Sequence, residues 1–153
     1  MKYEILSHPA ELRLRIYGKT IEELFINAVE AMAQILSTKT KNLKLPPSPR
    51  LRRAGKTKSQ KLKTKIKIQS VDVNALLVDF LNEILAKSQI NKTVYLVSSI
   101  KHQALNKKEY QLEAELTSYP IKRFDEDIKA VTYQDVDIKL KANRWQTELV
   151  FDI

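Results

Sequence analysis

Four places in this chain hold residues whose types and spacing could do chemistry. The first is Ser7-His8-Pro9-Ala10-Glu11, where an imidazole stands three residues before a carboxylate. A single histidine is more often a hydrogen-bonded structural group than a ligand, and a glutamate on a strand is usually a solvated outward residue. This segment acquires meaning only if a second acid converges on it. Asp152, followed by Ile153 as the last residue, offers one, because the α-carboxylate of Ile153 lies beside the Asp152 side chain. Close carboxylates repel unless a hard cation such as Ca²⁺ or Mg²⁺ takes up their oxygens. Spacing alone does not bring Glu11 to Asp152, and the bland alternative is a frayed, solvated tail.

The third place is the acidic run Asp125 to Asp127 just ahead of Lys129. Such a lysine is either a surface ion-pair partner, worth about 0–1 kcal/mol, or a point charge read by a partner's carboxylate or phosphate. The fourth is the stretch from Lys39 to Lys67, with twelve Lys or Arg and no Asp or Glu, including Arg50, Arg52, Arg53, Lys56 and Lys58. It contains no aromatic residue, so it offers nucleic acid only phosphate contacts and no stacking platform. It reads equally well as a soluble basic insertion. The rest of the chain carries fifteen basic and eighteen acidic residues, so the net charge of +9 is local to this stretch.

Other chemistries lack their residues. Two glycines leave no phosphate loop or dinucleotide turn, no cysteine is present for disulfides or thiolate metal sites, and two histidines, His8 and His102, are too few for most nucleophilic or metal constellations. An independent catalytic role is therefore not expected. No apolar run approaches the roughly 20 residues of a membrane span, and no charged-then-apolar leader opens the sequence, which together suggest a cytoplasmic protein.

The elements that must position these residues are visible as periodicities. Residues 2–17 alternate as a half-buried strand, with Leu12, Leu14 and Ile16 opposed to Glu11, Arg13, Arg15 and Tyr17. After Gly18, Thr20 and Glu23 stand at capping-box spacing, and Ile21, Leu24, Phe25, Ala28, Met32, Ile35 and Leu36 predict an amphipathic helix over 21–36. From Thr38 to about residue 62, three prolines, a glycine and dense charge predict a flexible basic insertion. A short strand over 63–69 follows, then a second helix capped by Asp72, carrying Val73, Leu76, Leu77, Phe80 and Ile84 and ending near Lys87. The segments 93–100, 109–119, 130–140 and 144–153 read as four further strands. Six strands and two helices in one 153-residue chain predict a single α+β domain, a two-layer sandwich whose mixed, mainly antiparallel sheet is covered by the helices.

Several of these stretches together resemble the archease family. "YEILSHPAELRLRIYGKTIEELFINAVEAMAQIL" is similar to that family's opening H-T-A-D strand, Y-G-K-T turn and first helix. "DVNALLVDFLNEIL" resembles its second helix, and "KAVTYQDVDI…RWQTELVFDI" its C-terminal signature with the terminal D-I. The resemblance covers most of the chain outside the 38–62 insertion.

What the resemblance implies is a non-catalytic activator of the RtcB-type RNA-splicing ligase, which uses GTP to join a 2′,3′-cyclic phosphate or 3′-phosphate end to a 5′-hydroxyl in tRNA splicing or RNA repair. Such activators promote guanylylation of the ligase and multiple turnover. The resemblance further implies a divalent cation, calcium, held by Glu11, Asp152 and Ile153, and a ligase-contacting role for Lys129. The sequence departs from the family pattern at Pro9, Glu11, Arg13 and Gln134, where Thr, Asp, Gly and His are usual. Glu11 keeps an oxygen donor but sets it one methylene further out, and Arg13, two residues on along a strand, shares its face. The competing reading is an RNA-binding or chaperone-like module acting through the basic insertion, for example on an RNA methyltransferase.

Overall fold

The computed structural model describes residues 1–6, 11–38, 40 and 63–153. Ser7 to Ala10 and most of the basic insertion, with Arg50, Arg52, Arg53, Lys56 and Lys58, lie outside the described residues.

The chain runs β1 (Tyr3–Leu6), β2 (Leu12–Gly18), α1 (Ile21–Leu36), β3 (Lys63–Ser70), α2 (Val73–Asn91), β4 (Thr93–Asn106), β5 (Glu109–Pro120), β6 (Ala130–Thr132), β7 (Lys139–Lys141) and β8 (Arg144–Asp152). One sheet has the order β1-β2-β8-β6, with β7 also on β8; the other has the order β3-β5-β4, and every pairing is antiparallel. This is the expected α+β sandwich of mainly antiparallel sheet and two helices. The first predicted strand folds as two, β1 and β2, which pair from Tyr3↔Ile16 to Leu6↔Arg13. Residues 130–140 also divide, into β6 and β7, because Asp135 adopts a left-handed conformation with φ of 61° and cannot continue a strand.

Both helices start where their caps direct. Thr20 accepts a hydrogen bond from the Glu23 N–H, which satisfies one orphan donor of α1, and the Glu23 side chain reaches back past the cap to the Lys19 N–H. Asp72 does the same for α2 through the Ala75 N–H. The second helix passes Lys87 and continues to Asn91, where Lys92 at φ of 48° turns the chain out through a left-handed cap.

Alternation along β2 and β8 sends Leu14, Ile16, Leu149 and Phe151 inward and Arg13, Arg15 and Glu148 outward. The inner side chains join Phe25, Met32, Leu77, Phe80, Ile84, Leu112 and Leu116 in one continuous buried cluster. Helix α1 touches β2 of one sheet and β4 of the other, and α2 touches all three strands of the second sheet as well as β6. Each helix therefore ties the two sheets to a common core.

Gly18 is the tightest point of this arrangement. A methyl group there would lie 2.4 Å from the Leu24 nitrogen and 2.8 Å from the Thr20 oxygen, both backbone atoms of the first turn of α1. Neither atom yields without moving the helix. Gly18→Ala is expected to lower unfolding free energy by about 1–3 kcal/mol, as overpacking does, read from the denaturant midpoint; an unchanged midpoint would show that α1 shifts at no cost.

Candidate functional site

Strand β8 brings the distant candidates together. Along one edge it pairs with β2 from Gly18↔Trp145 to Leu12↔Phe151, which sets Glu11 one residue beyond the last pair, at the Asp152 end. Along the other edge Ala130 pairs with Asp152, and the Lys129 N–H donates to the Asp152 carbonyl at 2.7 Å. Asp152 is thus not a frayed tail. Its backbone is held on β8 while its side chain is exposed.

Lys129 is exposed and stands between buried Ile128 and half-buried Ala130. Among the described residues no ion pair or side-chain hydrogen bond involves its ammonium. The preceding acids are not its partner: Asp125 Oδ2 accepts from the Thr38 N–H at 2.8 Å and from Thr38 Oγ1 at 3.0 Å, closing the chain over the end of α1. Among the described residues, the surface-ion-pair reading of Lys129 therefore finds no ion pair.

Three side-chain amides of α2, which sequence reasoning missed, fix the backbone that carries Lys129. Asn82 donates to the Val131 carbonyl at 2.8 Å and accepts from the Val131 N–H at 2.9 Å, so a side chain takes the place of a neighbouring strand. Gln89 donates to the Ile128 carbonyl at 2.7 Å, and Asn74 accepts from the Ile138 N–H at 2.9 Å. A signal was present. Asn74, Asn82 and Gln89 are spaced eight and seven residues apart, which puts three amides on one stripe of a helix.

The outer face of the first sheet carries a ladder of charge. Arg13 Nη1 meets Asp135 Oδ2 at 2.8 Å and Glu148 Oε1 at 3.2 Å, while its Nη2 meets Glu11 Oε1 at 3.2 Å. Next to it Arg15 bridges Glu148 and Glu4, each at 3.2 Å, and Tyr17 donates its hydroxyl to the same Glu4 oxygen. Register explains the order: Glu4, Arg15 and Glu148 stand opposite one another across β1, β2 and β8. The Asp135 hydrogen bond, then that of Glu148, holds the Arg13 guanidinium pKa above its usual value. Tyr17 is raised by burial first and then by its bond to Glu4. The guanidinium of Arg144 lies 3.8 Å over the Tyr17 ring and closes the far end of the row.

Of the ligand set implied for a divalent cation, Glu11 lies in this ladder and Asp152 beyond it, with no ion pair to the Asp152 carboxylate among the described residues. Ile153 is 37% exposed. Among the described residues no three His, Cys, Asp or Glu side chains stand close enough to hold a metal ion. Gln134 is exposed, and its N–H donates to Thr132 Oγ1 at 3.3 Å. Also among the described residues, no helix is long and apolar enough to cross a membrane.

The sequence matches the family model described as "Archease protein family (MTH1598/TM1083)" over residues 3–153. It is 31% identical to the "Protein archease" of Methanosarcina mazei, covering 99% of this chain and 96% of that protein. It is 28% identical to that of Pyrococcus abyssi, over 99% of both. Among solved structures, protein 1598 of Methanobacterium thermoautotrophicum superposes with a TM-score of 0.76 at 20% identity, over 99% of both chains. A Thermotoga maritima protein described as "an archease, possible chaperone" superposes at 0.61 and 17% identity, over 97% of this chain and 94% of that one. At these identities the two structures speak for the fold.

Asn82 is the residue on which the placement of β6 depends. Asn82→Ala leaves both Val131 backbone groups without their partner, and each unsatisfied group costs about 1–3 kcal/mol. The Val131 amide should then exchange with deuterium faster in Asn82→Ala than in wild type, while amides at the centre of α1 keep their protection. Equal exchange at Val131 would mean that β8 alone holds β6.

Proposed function

Because this chain belongs to the archease family, we propose that it is a non-catalytic, chaperone-like activator of an RtcB-type RNA-splicing ligase, working in the cytoplasm. The observation that carries the reading is Lys129: an exposed ammonium with no acid of its own, on a backbone anchored by Asn82, Gln89 and Asp152. A long cation that is neither paired nor mobile at its base is suited to meet an anionic group on another molecule. The exposed carboxylate of Asp152, whose carbonyl accepts the Lys129 N–H, supplies an acceptor for a cationic group of the same partner. Acid and base side by side give such a contact both strength and orientation.

An activator without catalytic groups of its own acts through differential affinity. It binds the guanylylation-competent state of the ligase more tightly than the resting state and shifts the equilibrium by that difference alone. The anchored Lys129 serves this end, because rotamer freedom confined to one side chain leaves less entropy to lose on docking. The Ala130–Asp152 pairing and the bond from the Lys129 N–H to the Asp152 carbonyl hold the two backbones at a fixed place relative to each other.

The test is GTP-dependent guanylylation of the ligase at limiting ligase concentration. Wild type should stimulate, and Lys129→Ala should lose at least about tenfold of the stimulation, the equivalent of roughly 1.4 kcal/mol in coupling. Its thermal unfolding should be unchanged, because exposed substitutions seldom shift stability by more than about 0.5 kcal/mol. Asp152→Ala should reduce stimulation as well. Full stimulation by a folded Lys129→Ala variant overturns the proposal.

A further inference from the structure

The ladder on the outer face of the first sheet contains a cation already. We propose that Arg13 is the resident cation of the acidic end of the sheet, its guanidinium standing where a divalent ion held by Glu11 would stand, so that the site is organised without metal.

The guanidinium gathers three carboxylates from three separate segments: Glu11 before β2, Asp135 in the turn between β6 and β7, and Glu148 on β8. Gathering carboxylates from distant segments is the structural work a bound calcium does through its several oxygen ligands. Here the fork of N–H donors does it, at 2.8 Å to Asp135 and 3.2 Å to each of the other two. The side chains of Arg13 and Glu11 are 20% and 23% exposed, so the contact is partly shielded from water.

The turn supplies independent support. Asp135 is held at φ of 61°, a left-handed turn conformation that Asp adopts more readily than most residues. In that conformation it delivers its carboxylate to Arg13 at 2.8 Å, the shortest of the three contacts. A calcium ion bound to Glu11 Oε1 at its usual distance of about 2.4 Å would have to share that oxygen with a fixed positive charge. Two cations competing for one partly covered oxygen repel strongly, and the tethered one cannot leave.

This inference does not rest on the ligase reading, since binding and unfolding are measured without a ligase. After removal of metal with a chelator, wild type, Arg13→Gly and Arg13→Met are titrated with calcium and with magnesium by calorimetry. Their thermal unfolding is followed in chelator and in millimolar calcium. Wild type should give no saturable heat and the same Tm in both media. Arg13→Gly should bind calcium at least about tenfold tighter than wild type and gain a calcium-dependent rise in Tm. Adding Glu11→Gln should abolish both gains.

If Arg13→Gly folds only when calcium is supplied, the proposal is supported in its strongest form. If it does not fold at all, Arg13→Met, which keeps the aliphatic stem over the sheet, decides by the same two readings. Saturable calcium binding by wild type overturns the proposal. So do variants that bind no better than wild type, which would show that Arg13 is a surface ion pair and that the cation site is simply lost.

Discussion

The pairing of β8 with strands on both of its edges is the constraint on which the rest of the structure depends. One edge is covered by β2; the other is divided between β7 near its start and β6 near its end. Into the gap between β6 and β7 the turn inserts its own contacts: the Asp137 N–H donates to Thr147 Oγ1, and Asp135 meets Arg13. Because side chains alternate with a period of two, the register that buries Leu149 and Phe151 also puts Glu148 against Arg13 and Arg15. A slip of one residue would bury a glutamate and expose two core side chains. Core and ladder are therefore specified by one decision, and the Asp152 end inherits its geometry from it.

The parts of this arrangement that were readable in the sequence are those with local causes. Helix α1 begins and ends where Thr20, Glu23 and the apolar stripe place it, and the sharing of a face by Glu11 and Arg13 follows from strand periodicity. What escaped has a distant cause. Asp135 and Glu148 lie 122 and 135 residues from Arg13, and nothing in their own neighbourhoods marks them as its partners. The break at Asp135 was hidden for a similar reason. "AVTYQDVDIKL" alternates like a strand throughout, and the turn within it is stabilised by a contact to β2 that only the folded sheet supplies. Helix α2 runs past the expected end near Lys87 because Ser88 is buried and Gln89 binds the Ile128 carbonyl, neither of which its own segment reveals.

Charge is used in two opposite ways within a short distance. Arg13 and Arg15 are saturated with carboxylates and lie against the sheet, where a planar fork makes several directed bonds at once. Lys129 carries the same formal charge on a flexible stem and is left exposed. Exchanging the two residue types would undo both uses: a lysine at 13 would not span three acids, and an arginine at 129 would lose the compact charge of an ammonium. The basic residues of the 39–67 stretch stand apart from this division, because they are numerous, mostly outside the described residues, and without acids among them.

A site built around a tethered guanidinium differs in kind from one built around a bound ion. Metal binding adds stability in proportion to the logarithm of free ion over Kd, so a metal-organised acidic end strengthens and weakens with the medium. A cation carried on the chain is present at a high effective concentration set by its tether, and chelation does not remove it. It also keeps its charge, since a guanidinium is effectively always protonated and the hydrogen bonds to Asp135 and Glu148 raise its pKa further. The cost is adaptability. An ion can leave or change its coordination when a partner arrives, whereas Arg13 can only rearrange within reach of its stem. If the acidic end is organised by arginine, the part left free to respond to a partner is the exposed pair of Lys129 and Asp152.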